Sequence, residues 1–441
     1  MKTPICDMTA QYARSGAVRA HMPGHKGMGD MEKFDITEIT GADSLYEAKG
    51  IITESEGYAG EIFGGDTFYS TEGSSLCIRA MMALCAKYSG DEHPLVLAGR
   101  NAHKTFLSAV ALLDLDVEWL MPEHTHGYLS CPISAKDVEA ALEGAARPVA
   151  AVYLTSPDYL GGICDIEGIA QVCHSHGVIL AVDNAHGAYL KFLDKSRHPL
   201  DLGADMCCDS AHKTLPAITG AAYLHISKSA PAFFAQSAKE AMALFGSTSP
   251  SYLILQSLDR LNAHLCDSYK IKLSECVRRI EVMKERLTLG GYSLMGDEPI
   301  KLSIDTKAYG YTGEELSAVL ESNGIFCEFS DKDNLVLMLS PNNSDEDMDK
   351  IENALLSIPK KEPIISQPPE YKQPEKAMSV RKAMLSPSEN LPIDKCIGRT
   401  LTAPTVSCPP AVPIVVSGEI IDGNALERFK YYGIKKCSVV I

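Results

Sequence analysis

The stretch that decides the fold is "PVAAVYLTSPDYLGGICDIEGIAQVCHSHGVILAVDNA", residues 148–185. It opens with a continuous apolar run, PVAAVYLTS (148–156), rich in Val, Ala and Tyr. Then IEGIAQVCHSHG (166–177) has the spacing of a helix and is closed by Gly177, and VILAVDNA (178–185) is a second apolar run. A strand, a helix of ten or more residues and another strand make a crossover unit, which pairs its two strands in parallel. Strands apolar on both faces are covered on both faces.

The same alternation extends outward. Towards the N-terminus, helical spacing appears in 54–64, 78–88, 103–114 and 135–144, and strand-like runs in 94–99 and 116–121. Towards the C-terminus, a short apolar stretch, 202–208, precedes "DSAHKTLPAITGAAYLH" (209–225). A long helix is expected after Pro250. Next, 300–305, 313–324, 325–330 and 334–340 read as strand, helix, strand, strand, followed by a helix over 345–358. The Pro-rich, charged stretch 359–376 reads as a linker. The expected organisation is an N-terminal segment (1–49), a large α/β domain (50–250), a small α+β domain (251–358), the linker (359–376) and a C-terminal module (377–441). No internal repeat is evident.

Bulk properties narrow the function. The 441 residues carry 57 acidic and 41 basic side chains, a formal charge of −16. Such a chain lacks the clustered positive charge that nucleic acid or an anionic membrane requires. No apolar run approaches the ~20 residues that cross a bilayer, and the first residues lack a signal peptide's apolar core. A cytoplasmic protein is expected. The 14 cysteines are scattered without any C-x-x-C pair, as reduced thiols packed like small apolar residues would be.

In a parallel sheet, ligands bind beyond the carboxyl ends of the strands. Four polar features fall there: Gly73-Ser74-Ser75 before a helix, His103 after strand 94–99, Asp183 at the end of strand 178–185, and Ser210-His212-Lys213 after 202–208. Taken singly, each reads as a cap, a turn former or a surface charge. Together they match one cofactor, pyridoxal 5'-phosphate. Gly73, Ser74 and Ser75 would hold its phosphate, and His103 would stack on its ring. Asp183 would face the protonated pyridine nitrogen, and Lys213 would condense with the aldehyde. Ala185, two residues after Asp183 on the same strand face, would pack the other side of the ring. Ser210 and His212 would reach the phosphate. The histidines of "HMPGHKG" (21–27) have H-x-x-x-H spacing, but Pro23 and Gly24 deny them a shared helix face, so no metal is expected. His124, His126, His174 and His176 read as surface or cap residues.

The blocks "HMPGHKG" (21–27), "GRNAHKT" (99–105), "TSPDYLGG" (155–162), "VDNAHGAY" (182–189), "DSAHKTLPA" (209–217) and "GRTLTAPTVSCPPAVPIVVSGE" (398–419) together resemble the Orn/Lys/Arg decarboxylase family in its short form, without an N-terminal receiver-like domain. The resemblance implies an aspartate-aminotransferase-like α/β fold: a large mainly parallel sheet domain, a small α+β domain and a C-terminal module. It also implies a homodimer or higher homo-oligomer whose active site lies at the dimer interface, with the HMPGHKG loop nearby. The implied reaction removes the carboxylate of lysine, ornithine or arginine as CO₂ and protonates Cα, with His212 or Lys213 as donor.

The chain departs from the family pattern in three places. The phosphate loop, Asn-Gly-Thr-Ser-Thr in the family, is Ser70-Thr71-Glu72-Gly73-Ser74-Ser75 here. The Tyr-Pro-Pro-Gly turn is Cys408-Pro409-Pro410-Ala411, and Gly220 stands where Gln is common. For the substrate, Glu419 is the first candidate to meet a distal cation and Glu72 the second; Arg399 is the candidate for the carboxylate. An aminotransferase or aldolase on the same scaffold remains open at this point. So does a catalytically weak paralogue serving as a partner subunit, which the altered phosphate loop suggests.

Overall fold

A computed structural model describes residues 1–122, 127–404 and 410–441. Seven strands form the large sheet: β1 (Gly65–Ser70), β2 (Leu95–Gly99), β3 (Asp116–Leu120), β4 (Val149–Thr155), β5 (Ile179–Asp183), β6 (Met206–Asp209) and β7 (Ala222–Ser227), in the order β1-β7-β6-β5-β4-β2-β3. All run parallel except β7, which is antiparallel to both neighbours.

The unit 148–185 folds as its pattern predicts. β4 and β5 pair in parallel with Tyr153 beside Ala181 and Thr155 beside Asp183. Between them the helix Ile166–Ser175 begins at Asp165, whose carboxylate accepts from the Gly168 N–H. It stops before Gly177, which takes φ +69°. Alternate strand residues serve opposite faces. Val152, Leu154, Leu180 and Val182 pack under this helix with Ile166 and Ile169, while Ala151, Tyr153 and Ala181 pack with the helix Gly73–Ser89. Tyr153 stacks on Phe106 at 4.3 Å between ring centroids. Burying side chains of this size contributes roughly 1.5–3 kcal/mol each, so both faces hold the sheet.

β1 and β7 escape the sequence reading. They are antiparallel partners whose register sets Thr67 opposite His225, and the Thr67 hydroxyl lies 2.8 Å from His225 Nδ1 in the core. Buried polar residues that satisfy one another hide a strand from an apolar pattern. The expected long helix after Pro250 is two helices, Tyr252–Asp267 and Tyr269–Leu289, divided at Ser268. A second sheet contains β8 (Ser293–Met295), β9 (Lys301–Asp305), β10 (Phe329–Ser330) and β11 (Asn334–Met338), in the order β10-β11-β9-β8. The strand expected over 325–330 shortens to β10. β12 (Ser388–Pro392) and β13 (Lys436–Val440) pair antiparallel near the C-terminus. The stretch read as a linker lacks helix and strand over 359–375, yet Tyr371 is anchored, its hydroxyl accepting from Arg100 Nε at 2.7 Å. Among the described residues, no helix is long and apolar enough to cross a membrane.

Candidate active site

The carboxyl ends of β1, β2, β5 and β6 open into a cavity of about 540 Å³. Its wall includes Glu72, Gly73, Ser74, Ser75, His103, Asp183, Ala185, Ser210, His212 and Lys213. Ten of the twelve candidate site residues are thus brought together, as strand-end placement predicts.

Each arrives by a local device. The helix Gly73–Ser89 has no side-chain cap on its first-turn N–H groups; that of Gly73 goes to a backbone carbonyl. Gly73, Ser74 and Ser75 are themselves the first turn, one step further into the helix than the sequence suggests. Ser210 Oγ donates to Ser74 Oγ at 2.8 Å, joining the two strand ends. Glu72 stands just before the helix, and its Oε1 accepts from the Ser247 N–H at 2.6 Å. Gly220 donates nothing to the wall but shapes it. Its φ of +96° and the Thr71 carbonyl, 3.1 Å from where a Cβ would lie, make glycine necessary there. Its carbonyl accepts from Gly73 N at 2.8 Å.

His103 caps the helix Lys104–Leu113: its Nδ1 accepts from the Thr105 N–H at 3.1 Å. That bond leaves the ring proton on Nε2, and burial drops its pKa to about 4, so the imidazole is neutral. His212 Nδ1 lies 2.9 Å from the Ala221 carbonyl and donates to it, leaving Nε2 as an acceptor. Asp183 is buried, and its carboxylate accepts from Tyr153 Oη and Ala185 N, each at 3.1 Å, and from Cys208 Sγ at 3.5 Å. Burial raises its pKa, and the nearby Lys213 acts in the opposite sense. The Lys213 side chain is reachable from the cavity, but the protein around its amine withholds water, and this lowers its pKa.

Two candidates lie elsewhere. Glu419 is buried against Arg100, its Oε2 accepting from Nη2 at 2.9 Å and from Val416 N at 2.8 Å. It lines a separate cavity of about 340 Å³ with Trp119 and Lys376. Arg399 donates to Glu389 at 2.9 Å beside the β12–β13 pair. Neither reaches the cavity at Lys213, because each finds its counter-charge within the chain. The HMPGHKG loop is also absent from this wall. Its histidines turn to different partners, His21 to Tyr12 Oη at 2.6 Å and His25 to Asp35 at 3.1 Å. Cys408, Pro409, His124 and His126 lie outside the described residues. Ala411, where the family has glycine, holds φ +58°, a left-handed conformation that is costly for alanine.

Sequence reasoning missed His186, Tyr159 and Glu328 on the wall. His186 was within sight, three residues beyond Asp183 in the quoted VDNAHGAY block. Glu328 comes from the second sheet's segment and accepts from Tyr159 Oη at 3.0 Å, a contact that no local pattern signals. One His/Cys/carboxylate cluster occurs among the described residues: His198, Cys207 and Asp209, buried and with ligand atoms within 4.8 Å of one another. Its His198 Nε2 already pairs with Asp209 at 3.1 Å, as does His225 at 3.2 Å.

Fold and cavity define an α/β enzyme of the fold-type-I class, and solved structures agree on the architecture. The lysine decarboxylase LdcF of Francisella novicida superposes with a TM-score of 0.82 at 15% identity, over 100% of this chain and 81% of that one. The constitutive lysine decarboxylase of E. coli gives 0.78 at 17%, over 100% and 81%. The profile described as Orn/Lys/Arg decarboxylase, major domain, matches residues 3–295. The chain belongs to the Orn/Lys/Arg decarboxylase family and is an amino-acid decarboxylase. It is 29% identical to an arginine decarboxylase of Halalkalibacterium halodurans, over 96% of this chain and 92% of that protein. An arginine decarboxylase of Bacillus subtilis is 28% identical, over 95% and 91%.

Proposed function

We propose that the chain uses pyridoxal 5'-phosphate to remove the α-carboxylate of a basic amino acid, arginine ahead of lysine and ornithine. The observation that carries this reading is the meeting of the Lys213 amine and the buried Asp183 carboxylate on one cavity wall. The residues present fit the cofactor. The uncapped N–H groups after Gly73 and the hydroxyls of Ser74, Ser75 and Ser210 suit a phosphate dianion. The neutral His103 ring and the small Ala185 suit the two faces of a flat ring. Asp183 lacks a fixed cationic partner and suits a pyridinium. When bound, the cofactor supplies an electron-withdrawing ring that accepts the bonding pair as CO₂ departs.

The chain's own residues do the rest. Asp183, held by three donors, keeps its charge directed at the ring nitrogen. Lys213 offers the amine that takes the aldehyde. His212, its Nδ1–H committed to the Ala221 carbonyl, presents the Nε2 lone pair to the cavity; after Nε2 takes up a proton from solvent it passes that proton to Cα, with Lys213 the other donor. Glu328, exposed at the wall, and Glu72 are acceptors for the distal cation. Arginine leads because four relatives that match nearly the whole chain carry the name arginine decarboxylase. A cytoplasmic homodimer belongs to the same reading, supported by the family resemblance and by Val18, Met22 and Met28, exposed on the N-terminal segment as a subunit face would have them.

The test supplies carboxyl-labelled arginine, lysine and ornithine with the cofactor. Labelled CO₂ and the matching amine are expected, fastest with arginine. Label retained in an amino-acid or keto-acid product would defeat the reading.

A further inference from the structure

Behind Lys213 a chain of charged groups leads out of the large sheet into the second one. Lys213 Nζ lies 2.9 Å from His186 Nε2, and on the far side of the same ring Lys301 Nζ lies 3.4 Å from Nδ1. Lys301 begins β9, and its ammonium pairs with Glu298 at 2.7 Å, both side chains being 1% exposed. The segment carrying this pair is pinned against the large domain. The N–H groups of Asp297 and Glu298 both donate to the Gly161 carbonyl, at 2.8 and 3.0 Å. Gly161 holds φ +90°, and a Cβ there would meet Glu298 Cβ at 3.2 Å, so the approach is a glycine contact. Lys301 also donates to the Asp158 carbonyl at 3.3 Å.

We propose that Lys301 and His186 are positioning residues that hold the Lys213 amine in its neutral form, lone pair intact. An ammonium has donors and no acceptor. Paired with Glu298, Lys301 is charged, so His186 Nδ1 must present its lone pair to it. A neutral imidazole then carries its proton on Nε2. A protonated Lys213 would set N–H against N–H across 2.9 Å, whereas the neutral amine accepts. The two domains thereby share control of one proton, and Glu298–Lys301 gives the second domain a catalytic purpose beyond closing the cavity.

The surroundings act in the same direction on balance. Lys213 faces His186, Asp183, Cys208, Glu328 and Lys301; burial and Lys301 disfavour its charge, while Asp183, Glu328 and Cys208 favour it. His186 faces Lys213, Lys301, His103 and His212, with Tyr159 edge-on at 5.3 Å, and burial above all pushes its pKa well down, the Lys301 charge acting in the same direction. Lys301 faces Glu298, Lys284 and the Asp158 carboxylate.

The proposal rests on Lys213 being the amine that takes the cofactor, so its test omits cofactor and amino acid alike. In the full-length chain freed of bound aldehyde, competitive labelling with acetic anhydride across pH, read by mass spectrometry of the Lys213 peptide, gives that amine's pKa. The wild type is expected below the ordinary lysine value of about 10.4. His186→Phe is expected to raise it by about one unit, roughly a tenfold loss of neutral amine at a given pH. The neutral pair Glu298→Gln with Lys301→Gln is expected to raise it as well, with His186→Gln, which keeps an N–H, nearer the wild type. Nitrogen-15 spectra of histidine-labelled wild type should place the His186 proton on Nε2. Labelling pKa values equal to wild type in folded His186→Phe and in the folded Glu298→Gln/Lys301→Gln pair, or a proton on Nδ1, overturn the proposal. Should His186→Phe fail to fold, the neutral pair and the wild-type spectrum decide it. A chain that holds its lysine neutral but releases no CO₂ would sink the function and leave this inference standing.

Discussion

Asp183 and Glu419 are both buried carboxylates, and both have pKa values raised by burial. They differ in what answers the charge. Glu419 meets Arg100 at 2.9 Å, with the guanidinium itself between the Trp119 and Tyr371 rings at 5.1 and 5.6 Å. Asp183 meets only neutral donors, and the basic group that acts on it is the Lys213 amine on the same cavity wall, with no fixed counter-charge bonded to it. A buried carboxylate with its own arginine joins parts of the fold; one left without a fixed cation is a receptor for a cation from outside. Removing either tests a different property.

The largest expected effect is at Lys213. Lys213→Ala should abolish amine production and eliminate the borohydride-fixed adduct, read by mass spectrometry on the 209–225 peptide; an adduct elsewhere would break the assignment. Next comes the crossed pair. Asp183→Asn should lower kcat/KM by about 200- to 5,000-fold, the equivalent of the ~3–5 kcal/mol lost when a buried ion pair loses one partner. The cofactor-free chain should melt no lower than wild type, because an uncompensated buried carboxylate has been neutralised. Glu419→Gln should do the reverse: about 3–5 kcal/mol lost in denaturant unfolding, since Arg100 is left buried and unpaired, with kcat per folded enzyme little changed. If both variants lose activity with stability intact, the distinction fails.

Smaller effects sharpen it. His103 titrates at about 4 against an ordinary 6.5, so the unfolded chain takes up this proton first as pH falls. Its contribution to stability is complete above pH 6.5 and is lost as pH falls towards 4. His103→Gln should flatten the decline of stability in that window by at most about 1.4 kcal/mol per pH unit in the cofactor-free chain; an unchanged slope would mean the imidazole is not held neutral. Smallest is Arg399→Ala. Its pair with Glu389 is half-exposed, and such pairs are worth about 0–1 kcal/mol. No change in KM is expected; a KM increase of tenfold would return Arg399 to the substrate.

The sequence by itself determined the parallel sheet around 148–185 and the strand-end residues, because period and strand order are local properties that a chain carries in its pattern. It also located Lys213, Asp183, His103 and the Gly73–Ser75 turn, since each sits where a strand must end. Tertiary structure alone decided the partners of charges. Nothing near Glu419 in sequence announces Arg100, 319 residues away, and nothing near His186 announces Lys301, 115 residues away. β1 and β7 were hidden for the same reason, their polar Thr67 and His225 becoming acceptable inside only once paired. Whether a buried charge is a strut or a receptor depends on what is packed against it, and packing is settled by the fold as a whole.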